Sequence, residues 1–491
     1  MSAAVLALDQ GTSATKALVV LADGSIAAEI EVPVALRAVG TGGVETEAED
    51  LWTSVVSAGS AAVAQADAEL SAVALANQGE TVLAWRYPTG EPLSPAIGWQ
   101  DRRAASITDA LASERQAARA LSGLELDPYF SAPKMAWLRP QVPDDAVITT
   151  TDTWLIHRLS GSYVTDAATA SRTLLLDLDK GEWSEELCAL FGVDMSALPR
   201  IVGNTDLVGR TRAFGSELPV VGTAVDQQAA LFAEACFEPG QAKCTYGTGA
   251  FLLTNLGISS PRSKAGLATC VAWRIGDATT YCLDGQVYTA GSAVSWLVSA
   301  GILASAADVD GLVKGARQAS SPRTPYRPEI FVPALSGLAA PYWAPQARGG
   351  WVGLGLDTDR AALVQAVIEG IAANVTHLAR VGMHDVGFPI ARLRADGGLV
   401  RSAALMQAQA DLLQVPVDVY STPHATALGV AALARIGLGH AATPRDAVSA
   451  WTPSVTYEPG CSAGEAEHRM ARWLQAADAV AQGLGAAETC G

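Results

Sequence analysis

Cysteine is scarce and scattered in this chain. The seven residues are Cys188, Cys236, Cys244, Cys270, Cys282, Cys461 and Cys490 in a length of 491. The number is odd and no Cys-x-x-Cys pair occurs, which argues against a disulfide framework or a structural zinc site. The six histidines are equally dispersed. Positive charge is also short: 33 Lys and Arg face 50 Asp and Glu, a net charge of −17. Phosphate neutralisation needs a basic surface, so duplex DNA and anionic membranes are poor partners. A nucleotide needs only a local pocket of donors and stays open. No uninterrupted apolar run of about 18 residues is present, so no membrane helix is expected. Asp9 interrupts the first apolar run early, which leaves no signal-peptide core and points to the cytoplasm.

What is present is a core-rich α/β chain. Hydrophobic residues make up 49% and charged residues 17%, a balance that disfavours disorder. The length exceeds one core and suggests two domains, 1–243 and 244–491, with no low-complexity linker between them. Val5–Leu8, Ala17–Leu21 and Ile26–Val32 read as short strands separated by turn chemistry at Gly11 and Asp23-Gly24. Glu47–Ala66 reads as a helix, with Gly59 as a weak point, and Leu70–Ala76 as a strand. Arg360–Val381 carries a core-facing apolar stripe. The last 20 residues read as a surface helix and a frayed tail.

Two hairpins stand out. The first joins two apolar strands through Asp9-Gln10-Gly11-Thr12-Ser13-Ala14-Thr15-Lys16. It packs a carboxylate, a close-approach glycine, hydroxyls and a lysine into eight residues, a set able to hold a nucleotide's terminal phosphates and a metal ion. The second, within Ala242–Asn255, turns at Gly247-Thr248-Gly249. Paired, they suggest two similar domains gripping a nucleotide between their turns; singly, each can be an ordinary hairpin. A third glycine turn, Asp396-Gly397-Gly398, opens a helix and offers backbone donors to a phosphate.

Phosphoryl transfer to an alcohol needs a triphosphate clamp, Mg²⁺, a base and a fixed acceptor. Asp9 can orient Mg²⁺ through water, and Lys16 can neutralise phosphate charge. Equally, Asp9 can cap a turn and Lys16 can face solvent. Asp226 ends the apolar strand Val220–Val225 and begins an apolar helix, where open α/β sheets bind ligands. It reads as a general base or as a plain helix cap. Gln227 and Gln228 can bond acceptor hydroxyls. Glu80 can accept two hydroxyl bonds, and Trp99 or Tyr129 can cover a carbon face.

These segments fall in one order: Asp9-Gln10-Gly11-Thr12, Asn77-Gln78-x-Glu80-Thr81, Asp127-Pro128-Tyr129-Phe130-Ser131, Ala170-Ser171-Arg172-Thr173, Asp226-Gln227-Gln228, Thr245-Tyr246-Gly247-Thr248-Gly249 and Asp396-Gly397-Gly398. The chain resembles the FGGY carbohydrate kinases, most closely their glycerol-phosphorylating branch, over roughly residues 4–440. The resemblance implies an α/β fold of two actin-like, ribonuclease H-like domains with the active site in the cleft between them. It implies ATP and Mg²⁺, with Asp226 as base and Asp9 and Asp226 toward the metal. It places Thr12, Ser13, Lys16, Thr248, Gly291, Ser295, Gly398 and Ser402 around the nucleotide. It places Glu80, Trp99, Tyr129, Asp226 and Gln227 at a small polyol or sugar acceptor. A homodimer or other homo-oligomer is expected.

The departures bear on the acceptor. The glycerol-phosphorylating branch carries an arginine where this chain has Gly79, and its loss removes a fork of donors and opens space. Lys16, Ala14, Ser295 and Ser402 also replace that branch's residues. Trp99-Gln100-Asp101 resembles the Trp-x-Asp of pentulose kinases in the same family. The expected activity is ATP-dependent phosphorylation of a terminal hydroxyl of glycerol or a related polyol, with a pentulose as the alternative acceptor. A non-catalytic actin-like ATPase or filament protein would share the clamp but has no use for Glu80, Trp99, Tyr129 and Gln227. The acidic charge disfavours a DNA-binding regulator.

Overall fold

A computed structural model describes residues 4–319 and 329–483 of the chain. Cys490 and the end of the tail read from the sequence lie outside those residues.

The first sheet contains β1 (Ala4–Gln10), β2 (Ala14–Val20), β3 (Ile26–Pro33), β4 (Leu70–Asn77), β5 (Leu207–Thr211) and β6 (Leu218–Val225). Its order is β5-β6-β4-β1-β2-β3. Strands β1, β2 and β3 form an antiparallel meander, while β1, β4 and β6 run parallel. β1 is covered on both faces, which is why it reads as a near-continuous apolar run. β3 lies at the sheet edge and alternates Ala28, Glu29, Ile30, Glu31, so its charges face water.

The second sheet contains β7 (Ala242–Tyr246), β8 (Ala250–Gly257), β9 (Ala268–Ile275), β10 (Ala278–Val287), β11 (Leu393–Asp396), β12 (Val417–Val419) and β13 (Val455–Tyr457). Its order is β9-β10-β8-β7-β11-β12-β13. Here β7, β8 and β10 form the antiparallel part, and β7, β11 and β12 run parallel. The strand sequences β3-β2-β1-β4-β6 and β10-β8-β7-β11-β12 therefore share one topology. The similarity of the two glycine hairpins reflects a repeated sheet.

Helix α1 (Ala48–Gln65) buries Leu51, Val55, Ala58 and Ala62 against the first sheet. Gly59 sits inside it because an added Cβ would stand 2.3 Å from the Phe214 ring. The helix accepts the propensity cost of glycine, about 1 kcal/mol, to admit that ring. Helix α2 (Asp226–Ala233) follows β6 directly, and α3 (Gly291–Ser299) follows β10. α4 (Arg360–Val386) is long and apolar enough to cross a membrane, but 72% of its most apolar window is buried inside the fold. It is the core helix of the second sheet.

α5 (Ala403–Leu413) packs beside α4, and α6 (Ala425–Gly437) crosses back to the first sheet. Val430, Ala431 and Ala427 of α6 share a buried cluster with Val5, Ala7, Ala74 and Ala76. Gly429 lies against the backbone of Ala229 in α2, where a Cβ would meet the carbonyl oxygen at 1.9 Å. α7 (Ala463–Ala481) carries a buried face through Met470, Trp473 and Ala477, so the expected surface helix is half core.

Candidate active site

Between the sheets lies a cavity of about 290 Å³. Thr12, Ser13, Glu80, Trp99, Tyr129, Asp226, Gln227 and Thr248 all line it. Residues from six separate stretches of sequence thus meet, four of them because β1, β4, β6 and β7 all end beside the cavity.

Asp226 opens α2 at the mouth of β6. Val225 occupies the N-cap position. The Asp226 carboxylate accepts only the adjacent Gln227 N–H, at 2.6 Å, and caps no further. Burial pushes its pKa up to about 7, and the nearby Asp9 and Glu80 carboxylates push the same way against Lys243. Asp9 itself rises to about 6 by burial, opposed by Lys16. Lys16 is the direct cross-strand partner of Asp9 in the β1–β2 register. Its ammonium also reaches Glu31 at 3.8 Å. Lys16 does not line the cavity.

The hydroxyl-bearing turn and the acceptor wall are joined. Trp99 Nε1 donates to Thr12 Oγ1 at 3.0 Å. Trp99 packs edge-on against Tyr129 and Phe251, with ring centroids 5.7 and 6.1 Å apart. These three rings form an apolar wall beside polar groups, as a polyol's carbon and oxygen faces require.

Glu80 is buried and holds a left-handed backbone, φ 60°. A non-glycine residue in that region is strained, and such strain concentrates where side-chain direction matters. Glu80 accepts from Arg172 Nε at 2.5 Å, and Arg172 Nη1 reaches Asp284 Oδ2 of β10 at 2.5 Å. Burial raises the Glu80 carboxyl, with Arg172 opposing. One guanidinium therefore bridges Glu80 of the first half and Asp284 of the second sheet. In the sequence Arg172 carries no assignable role, and Asp284, Phe251 and Lys243 do not stand out as site residues. Nothing in their local sequence marks them. Lys243 is fully buried and donates to Gln227 Oε1 at 2.5 Å and Thr245 Oγ1 at 2.7 Å.

Gly291 stands behind the second hairpin. Its N–H donates to the Gly247 carbonyl at 2.9 Å, and a Cβ there would lie 2.6 Å from that oxygen. It holds the turn to α3 by close approach. Gly398 and Ser402 line a separate cavity of about 430 Å³ with Val294, Ile368 and Asp310. Ser402 caps α5 and donates to Asp310 Oδ1 at 2.7 Å. Ser295 is exposed on α3 and lines neither cavity.

Two repeated sheets closing on a cavity that holds carboxylates, hydroxyl turns and an aromatic wall define a two-domain kinase fold of the ribonuclease H-like class. Comparison with known proteins gives the family. The N-terminal domain of the FGGY family of carbohydrate kinases matches residues 4–233, and the C-terminal domain matches residues 242–438. The chain belongs to the FGGY family of carbohydrate kinases. It is 38% identical over 495 residues to a glycerol kinase of Myxococcus xanthus, covering 96% of this chain and 98% of that one. It is 40% identical over 491 residues to a glycerol kinase of Alkalilimnicola ehrlichii, covering 96% and 97%. A crystal structure of Plasmodium falciparum glycerol kinase with ADP superposes with a TM-score of 0.89 at 28% identity, covering 98% of each chain. Xylulose kinase of Lactobacillus acidophilus shares the fold, with a TM-score of 0.87 at 22% identity over 97% of this chain and 98% of that one.

Proposed function

We propose that the protein transfers the γ-phosphoryl group of ATP to a terminal hydroxyl of glycerol or a related small polyol. The observation that carries this reading is Asp226. It lies at the junction of acceptor wall and hairpin turns, with a pKa of about 7 and no competing cap. A carboxylate so poised accepts a hydroxyl proton near neutral pH. Glycerol kinase relatives imply ATP as the second substrate.

The acceptor lies against Trp99, Tyr129 and Phe251. Glu80 accepts its remote hydroxyl bonds, and Gln227, steadied by Lys243, offers a further amide. Asp226 removes the proton from the terminal hydroxyl as that oxygen attacks phosphorus in line with the leaving diphosphate. Thr12, Ser13 and Thr248 face the transferring group from the two turns. The second cavity, by Gly398 and Ser402, takes the nucleoside end. The walls of the cleft exclude water, which otherwise competes as acceptor.

Asp9 and Asp226 fit a magnesium ion. Both are oxygen donors at depth, each held above its ordinary pKa chiefly by burial, and the Asp9 carboxylate raises the cost of charging Asp226. Two carboxylates suit an ion that keeps most of its water and binds phosphate. Bound there, Mg²⁺ neutralises charge on the phosphates.

The acceptor range extends beyond glycerol. Position 79 carries no side chain on the cavity wall, and only Val225 crowds it. A coupled ADP-release screen across glycerol, tetritols, pentitols and ketoses tests the assignment. Asp226→Asn lowers kcat by at least about a hundredfold with nucleotide affinity retained. Near-normal turnover in that variant removes Asp226 from the chemistry.

A further inference from the structure

Cys270 on β9 and Cys282 on β10 are directly opposed in the antiparallel register. Their sulfurs lie 3.6 Å apart, and both side chains are fully buried. Directly opposed strand residues have Cα atoms about 4.5–5.5 Å apart, within the span a disulfide bridges. Neither thiol belongs to the machinery described above, yet Cys270 touches its frame. Arg172 Nη1 lies 3.6 Å from Cys270 Sγ, and Gln228 Nε2 lies 3.4 Å from it. Arg172 and Gln228 both line the acceptor cavity. Cys282 and Asp284 are two residues apart on β10, so their side chains share one face of the strand.

We propose that Cys270 and Cys282 form a reversible oxidation site, a dithiol that a hydroperoxide converts to a disulfide and that alters the acceptor cavity through Arg172. The two thiols have different roles. Cys282 and Arg172 hold the Cys270 thiol below its usual pKa, although burial opposes them. Burial and the facing Cys270 hold Cys282 well above its own. Cys270 is therefore the thiol that attacks the peroxide first, since the thiolate is the nucleophile. Its sulfur bonds to one peroxide oxygen, the O–O bond breaks, and one water leaves with the thiol proton. The resulting sulfenic acid is met by Cys282, whose sulfur displaces the hydroxyl as a second water. Two thiols lose two electrons and two protons, and one hydrogen peroxide becomes two waters.

Closure brings the sulfurs from 3.6 Å to about 2.05 Å. Cys270 turns away from Arg172 and Gln228, and the β10 segment bearing Asp284 is drawn with Cys282. Arg172 then loses one neighbour and shifts against another, so Glu80 loses its fixed direction. The reagent reaches the pair through the cavity beside Arg172, so a bound acceptor slows the reaction.

The test uses the full-length enzyme, hydrogen peroxide, and N-ethylmaleimide to trap free thiols. Trypsin cleaves at Arg274, between the two cysteines, so the disulfide appears as linked peptides that dithiothreitol separates. The expected result is that linkage, with the KM for glycerol raised at least threefold, the KM for ATP unchanged, and both restored by dithiothreitol. Cys282→Ser keeps its basal KM and loses the peroxide response. Thiols that stay reduced, a disulfide that leaves the KM for glycerol unchanged, or equal loss of activity in Cys282→Ser each overturns the proposal. The peptide readout does not depend on kinase activity, so its failure is distinct from failure of the kinase assignment.

Discussion

Trp99 donates its indole N–H to Thr12 Oγ1 at 3.0 Å, tying the aromatic wall of the cavity to the first hairpin turn. The two residues are 87 positions apart, and each belongs to a different half of the proposed reaction. Trp99→Phe keeps the ring contacts with Tyr129 and Phe251 and removes only this bond. A hydrogen bond of this kind is worth about 0.5–1.5 kcal/mol. Steady-state kinetics of Trp99→Phe are expected to show a several-fold loss in kcat/KM for both substrates. A loss confined to the acceptor means that the link to Thr12 carries nothing.

Arg172 pairs with both Glu80 and Asp284 inside the fold, and all three side chains are nearly inaccessible to solvent. Removing one member of a buried ion group leaves the others unpaired, at a cost of about 3–5 kcal/mol. Arg172→Ala is expected to lower thermal stability by that order and to abolish acceptor binding. Asp284→Asn keeps the shape and weakens only one arm, so its loss is smaller and falls on acceptor KM. Chemical denaturation and glycerol titration check both.

The raised carboxylates predict two pH effects. With Asp226 as the proposed base, kcat/KM is expected to rise with pH through about 7 and to level above it. Stability runs the other way. Asp9 and Asp226 bind protons more tightly folded than unfolded, so the folded state holds more protons between the ordinary aspartate value and about 7. Their contribution to stability is therefore present at low pH and lost as pH rises through that window. The melting temperature of the ligand-free protein is expected to fall between pH 5 and pH 7.5 from this source. Asp226→Asn flattens the fall, and MgATP reverses it at pH 7.5.

Gly79 leaves room on the acceptor wall, and its nearest potential obstacle is Val225, 2.9 Å from an added Cβ. Gly79→Arg fills that room. Relative kcat/KM for four- and five-carbon acceptors over glycerol is expected to drop by about tenfold or more, as for an overfilled pocket. An unchanged ratio shows that position 79 does not set acceptor size.

Much of the local chemistry was legible in the chain. The apolar runs of β1 and β8, each adjoining a Gly-Thr turn, mark paired strands because period and turn residues are local properties. Asp226 at a strand-to-helix junction marks a site for the same reason. α1 and the core role of α4 follow from helical periodicity. Gly59 weakened the α1 reading because its reason, the Phe214 ring, comes from a segment 155 positions away.

Sequence alone determined the parts: two glycine hairpins of one kind, an acid at a strand-to-helix junction, and the polar and aromatic residues Glu80, Trp99, Tyr129 and Gln227. Tertiary structure decided how they act together. It returned α6 from the second half onto the first sheet, where it shares the burial of one apolar face with Leu231 and Phe232 of α2. It set Arg172 between Glu80 and Asp284, and it left Ser295 exposed and Lys16 off the cavity wall. Such pairings depend on distances across the fold between residues remote in the chain, which no local pattern encodes.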